Sequence, residues 1–301
     1  MTAIAAVRSV LTSRARQPRR SRRPPVSLLA VALLVGALAV IPVAYLAARA
    51  FEGGADALAP LLRPRTLELL ISTVALGAAV IVGAVGLGVP LAWLTVRTDL
   101  PARRAWSVLT IAPLAVPSYL LAFAFVGAFA PRGWLTGLLG MIGVEAAPSI
   151  YGFAGAAIVL SLATMPYVVI ATRAALARLD PATEEAARSL GDGPWAAARA
   201  AIVPVVVPAV GAGALLACLY AIADFGAVSI LRYDTLATAI YSQYRFSFDR
   251  SAAATLALAL LALALVLVWA EGRVRRRAAL RTPHGRRRVP SPVRLGAWRW
   301  P

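Results

Sequence analysis

Apolar residues fall along this chain in long blocks, not in the narrow stripes of a water-soluble helix. Six blocks stand out, at 26–48, 66–96, 106–130, 150–176, 204–230 and 251–270. A helix rises ~1.5 Å per residue, so each block can cross a hydrocarbon layer of ~30 Å. The second is long enough to tilt or to project into water. Pro42, Pro90, Pro117 and Pro166 lie inside blocks, which membrane helices tolerate because neighbouring groups satisfy the freed carbonyls. None of the blocks carries the short in-out alternation of an outer-membrane barrel. The pattern predicts an all-α fold, a polytopic bundle of six transmembrane helices over 26–272. Basic tails at 1–25 and 273–301 flank it.

Composition agrees with a membrane class. The 301 residues are 60% apolar with a mean hydropathy of +0.76, against ~45–50% apolar in soluble domains. Charge then sets the orientation. All 31 basic residues are arginine, and the net charge is +18. The arginines gather at block ends, which points away from nucleic acid as a partner. With the N-terminus inside, 24 arginines fall on the cytoplasmic side and 7 on the other. The short inner segment RTDLPARRA (97–105) follows the same bias. Both termini are therefore expected in the cytoplasm, in a multi-pass plasma-membrane protein. A secretory signal peptide is the alternative for the start. Its apolar stretch is usually ~7–15 residues, shorter than the run here, so a retained anchor fits better. The C-terminal tail reads as a solvated linker able to meet anionic lipid headgroups.

Lysine is absent, and that excludes one chemistry outright. A phosphate-binding loop needs Gly-Lys-Ser/Thr, so this chain cannot hold one. If transport here runs on ATP, a partner subunit hydrolyses it, and no cofactor is expected on this chain. The single Cys218 rules out an internal disulfide and reads as a small apolar residue of the fifth block. His284 stands alone in the basic tail. No cluster has metal-ligand spacing, and no catalytic residue is assigned. An integral-membrane enzyme would need histidines or carboxylates converging at membrane depth.

One polar stretch interrupts the apolar pattern, EEAARSLGDGPWAAARAAIVPVVVP at 184–208. Asp180-Pro181 supplies a helix N-cap and a first-turn proline. Glu184 and Glu185 would sit near the positive end of that helix, and Gly191 would form a left-handed C-cap. Gly193-Pro194 can open a second helix, anchored to the membrane surface by Trp195, Ala198 and Ile202. Pro204 and Pro208 would fall in the first turns of the fifth span. The loop, about 178–203, thus predicts a helix–turn–helix on the cytoplasmic face. Its small residues Ala182, Ala186 and Ala187 would permit close approach by another protein. A plain amphipathic connector fits the same pattern.

Glu185-Ala186-Ala187 followed by Gly191, with apolar residues leading to Pro204, resembles the EAA loop of binding-protein-dependent ABC importer permeases. The family pattern Ile-x-Leu-Pro is met here by Ala201, Val203 and Pro204. YGFAGAAIVLSLATMPYVVIATRAALARLDPATEEAARSLG (151–191) and ADFGAVSILRYDTLATAIYSQY (223–244) resemble the ferric-iron branch, specifically the first half of its fused two-half proteins. The resemblance implies a type I importer permease (MetI-like) fold in a bacterial inner membrane. It implies three partners: an ABC ATPase subunit, an extracytoplasmic solute-binding protein and a second permease half, either another copy or a separate chain. It also implies that the loop is a coupling helix docking on the ATPase, with Glu185 as the charged contact and Gly191 as the turn. Ferric iron is the substrate it suggests, with thiamine, polyamine and phosphonate as alternatives. An incomplete half of a longer fused permease, and a passive channel needing no coupling loop, are the other readings.

Gate or pathway candidates are few. Asp224 is the carboxylate lying well inside an apolar block, and intramembrane acids are functional by default. It falls ~30 Å beyond Pro204, near the outer interface, where a structural or gate-lining role outranks metal contact. Tyr233, Asp234 and Tyr241 offer oxygen chemistry suited to a hard cation. For any one tyrosine, interfacial anchoring outranks that role.

Overall fold

The computed structural model describes residues 26–54, 58–143, 148–179, 189, 191, 193–247 and 249–279. Every regular segment among them is helical: α1 (Val26–Phe51), α2 (Ala59–Leu62), α3 (Pro64–Arg97), α4 (Arg103–Leu109), a 3₁₀ turn (Ala112–Ala115), α5 (Ser118–Phe129), α6 (Trp134–Met141), α7 (Phe153–Leu176), α8 (Pro194–Ala223), α9 (Gly226–Ile230), α10 (Leu236–Arg245) and α11 (Arg250–Ala279). Residues 1–45 and 46–301 form two units. The described part of the first, 26–45 of α1, is apolar and exposed along its whole length.

The second unit is built on α3, α7 and α8. Helix α3 shows how sorting works when both faces are apolar. Leu69, Thr73, Leu76, Val80, Ala84, Gly88 and Ala92 recur every three or four residues and are buried. Leu67, Ile71, Val74 and Val82 lie exposed between them. The faces differ in side-chain size, not in polarity, as expected where association in lipid depends on close packing. A Cβ on Gly83 would lie 2.2 Å from Ser161 Oγ of α7, and one on Gly213 of α8 would lie 2.7 Å from Val168 Cα. Leu76, Val80, Val159, Leu160, Val168, Ala217 and Ala221 form the main core between these helices. A second cluster joins Ala92, Leu176, Leu179 and Val206 where α3 and α7 end and α8 begins. That is the loop end of the bundle. A third, Leu69, Leu236 and Leu256, closes the far end.

Among the described residues, five helices are long and apolar enough to cross a membrane: α1, α3, α7, the 202–223 part of α8 and the 250–275 part of α11. The third expected span, 106–130, is not one straight helix. Residues 103–115 and 118–129 meet at a bend of 102°, so the count reaches six only with this bent pair taken as one span. The cause is local. Val116 before Pro117 adopts an extended ψ of 120°, as a residue preceding proline prefers, and Pro117 itself has ψ of 140°.

The fifth span also differs. It starts ten residues early, at Pro194, so the expected second loop helix is continuous with it through Pro204 and Pro208. It stops at Ala223, and Asp224 (ψ 127°) breaks the chain before α9. At the other end of the chain, helix α11 continues past the expected limit to Ala279, with Glu271 and Arg275 3.8 Å apart one turn on.

Candidate functional site

At the loop end, the polar stretch is anchored on both sides. Leu179 packs beside Leu176 and Val206, and Pro194 opens α8 at its first turn after Gly193. Gly191 has φ of +96° and an open surround, so conformation rather than space demands glycine there. Pro204 is exposed within α8. Asp180, Glu184, Glu185, Ala186 and Ala187 lie outside the described residues. Arg97 closes α3 at 8% exposure, with its guanidinium 5.6 Å from the Trp93 ring centre. Arg173 in the last turn of α7 donates to the Ser107 carbonyl at 3.3 Å. Beside that contact an open, mainly apolar cleft of about 610 Å³ is lined by Ser107, Val108, Ile111, Leu114 and Arg173.

The second candidate region lies where the two interrupted spans meet. Asp224 is buried at 9% exposure. Its Oδ2 accepts a hydrogen bond from Ser118 Oγ at 2.5 Å, and its Oδ1 accepts one from the Ala227 N–H at 2.8 Å. The carboxylate thus caps α9, satisfying an otherwise orphaned helix donor. It also ties that cap to the first residue of α5. Gly226 permits the approach: a Cβ there would be 3.0 Å from the Tyr119 Cβ.

The other three sequence-predicted pathway residues divide. Tyr241 stacks on Phe225 at 4.4 Å between ring centres, so it belongs to the Asp224 region. Tyr233 instead donates its hydroxyl to the Ser72 carbonyl at 3.1 Å and meets Phe153 edge-on at 5.6 Å. Asp234 pairs with Arg65 at 2.5 Å, both more than half exposed. Tyr233 thereby fastens the 231–236 connection to α3 and α7. Gly152 N–H to Leu231 O at 2.6 Å and Leu236 N–H to Thr73 Oγ1 at 2.9 Å do the same. Among the described residues no group of three His, Cys, Asp or Glu could hold a metal ion.

Ser118, Tyr119 and Gly226 are absent from the sequence-based candidates. One signal could have found the pair: an Asp three residues before Ala227 at a short helix start is an N-cap pattern. Ser118 follows a Val-Pro step that ends a helix.

Residues 84–280 match the model of the family described as "binding-protein-dependent transport system inner membrane component". The chain is similar to the Fe(3+)-transport system permease protein FbpB 2 of Haemophilus influenzae. The two are 35% identical over 233 residues, 77% of this chain and 42% of that protein. It is also similar to a probable sulfate transport system permease protein, cysT, of Chlorokybus atmophyticus, at 31% identity over 144 residues, 48% of this chain and 49% of the relative. The chain spans about half the length of these relatives, or less. Among solved structures, a chain of a bacterial alginate ABC transporter in complex with its alginate-bound periplasmic protein superposes with a TM-score of 0.64. That match covers 83% of this chain and 94% of the other at 15% identity, and shows a shared fold.

Proposed function

Because this chain belongs to the family of binding-protein-dependent transport system inner membrane components, and is a multi-pass inner-membrane protein, we propose that it is the non-catalytic permease subunit of an ATP-driven importer for ferric iron. The observation that carries this is the family match across 84–280, which includes the polar loop. A separate ATPase supplies the energy, since the chain has no lysine for a phosphate-binding loop. In this reading, the loop end faces the cytoplasm and both termini lie there, in line with the arginine bias. Residues 178–203 form the coupling element, with Glu185 as the contact to the ATPase and Gly191 as its turn. A solute-binding protein delivers the substrate at the far end, and a second permease half, another copy or a separate chain, completes the pathway.

Iron rests on the 35% identity to the FbpB 2 protein. The likeness to a sulfate permease supports an oxyanion as the second reading. The deciding experiment is reconstitution of the chain with its ATPase and solute-binding protein. Ferric-loaded binding protein should raise ATP turnover, and sulfate should not substitute. Stimulation by sulfate instead would move the substrate to an oxyanion, and failure to bind any ATPase would remove the permease reading. Gly191→Val provides a second test. A side chain is strained at a φ of +96°, so this variant should insert normally yet hydrolyse ATP without transport. Transport at the normal rate would count against the coupling role of the loop.

A further inference from the structure

We infer that the Ser118–Asp224 hydrogen bond is a latch between the two interrupted spans, formed in the arrangement seen here and opened once in each transport cycle. This rests on the permease reading above, because only a bundle that alternates between two arrangements needs such a device.

Three observations carry it. First, the bond joins two breaks. Ser118 follows the 102° bend in the third span, and Asp224 is the extended residue that ends the long fifth-span helix. Element-terminal residues of this kind absorb backbone rotation when rigid segments move. Second, among the described residues it is the one hydrogen bond between these two spans. Around it the packing is apolar: Ala122, Ala227 and Val228 belong to the main core, Gly226 approaches the Tyr119 side chain and Phe225 meets Tyr241, so no second polar pair between the spans has to break with it. Third, the two carboxylate oxygens have separate duties. Oδ1 caps α9 through Ala227 and can do so whether or not Oδ2 holds Ser118. The latch can therefore open while the short helix stays intact, with water taking the place of the Ser118 hydroxyl.

Helix α8 runs without a break from the loop end to Asp224. Pro204 and Pro208 lie inside it, yet it stays helical throughout, so a displacement imposed on the loop would reach the latch along one continuous helix. Ser118 and Asp224 act on the pathway by positioning α5 and α9, not by touching solute.

The contact offers its own test. A Cβ at 226 would lie 3.0 Å from the Tyr119 Cβ, about half an ångström inside the ~3.5–4.5 Å of a disulfide, so a small shift of the two backbones seats the bond. In the full complex with ATPase and binding protein, Tyr119→Cys is combined with Gly226→Cys on a Cys218→Ser background. Oxidation should form the cross-link and abolish binding-protein-stimulated ATP turnover, and reductant should restore it. A cross-linked complex with full stimulated turnover would make the contact a static brace and overturn the latch. Failure to cross-link at all would deny the contact and overturn it equally.

Ser118→Ala, which keeps the Asp224 cap, supplies the second arm. A charge-assisted bond biases a two-state equilibrium about tenfold or more. The ratio of stimulated to unstimulated turnover should change by that order in Ser118→Ala and return in Ser118→Thr. An unchanged ratio in a well-folded Ser118→Ala protein would overturn the proposal. A wild-type chain that binds no ATPase would instead remove the permease reading, and the latch with it.

Discussion

The α3–α7–α8 packing and the α5–α9 junction lie in the same bundle and are built on opposite plans. In the first, helices run unbroken and glycines let them close in, so that Gly83 faces the Ser161 side chain and Gly213 the Val168 backbone with no room for a methyl group. In the second, helices stop, backbone groups are freed, and a carboxylate gathers the loose ends. Close-packed small residues gain their energy only at one separation, since dispersion falls away within an ångström. A hydroxyl–carboxylate bond can be exchanged for water at modest net cost. The first plan suits a frame that must not move. The second suits a joint.

The contrast can be broken at several points, and the largest effect belongs to the frame. Gly213→Leu drives a side chain into the Val168 backbone and should cost about 3 kcal/mol or more. It should appear as loss of the folded protein in thermal unfolding in detergent. Gly211→Leu, at a position where a Cβ meets nothing within 4 Å, should be tolerated in the same assay. Equal damage from the two would show that the frame is not glycine-limited.

At the joint, Asp224→Ala strands the Ala227 N–H and should cost about 2 kcal/mol. Asp224→Asn, which keeps a capping oxygen, should lose less than half of that. Tyr233→Phe removes one hydrogen bond to Ser72 and should lower stability by about 1 kcal/mol, with ATP coupling unchanged because it fastens the frame. Arg65→Ala should have no measurable effect on unfolding. Its pair with Asp234 is exposed on both sides, and exposed ion pairs contribute little.

Hydropathy made the spans legible in the sequence because each block meets or exceeds the length that lipid demands. It could not reveal the break at 116–117, since Val116 and Pro117 are no more polar than their neighbours and proline is common in membrane helices. The end of α8 was hidden for the opposite reason. Asp224 stood out by its charge, which suggested a lone intramembrane acid, whereas its geometry makes it a helix cap. Tyr233 and Asp234 offer oxygen chemistry by residue type, and only the structure shows where they go, Tyr233 to the Ser72 carbonyl and Asp234 to an exposed pair with Arg65. Arg232 could not be read at all. It adopts a φ of +54° and reaches over the Tyr151 ring at 4.8 Å, a contact between residues far apart in sequence with no local signature.

The bend in the third span has a consequence for the thickness of the barrier. Arms of 13 and 12 residues at 102° to each other measure only ~20 and ~18 Å along their own axes, against a hydrocarbon layer of ~30 Å. Neither arm can bridge the layer by itself, and when one stands upright the other lies nearly flat. The continuous wall beside the bend therefore comes from the unbroken helix α7, which shares the main core with α5.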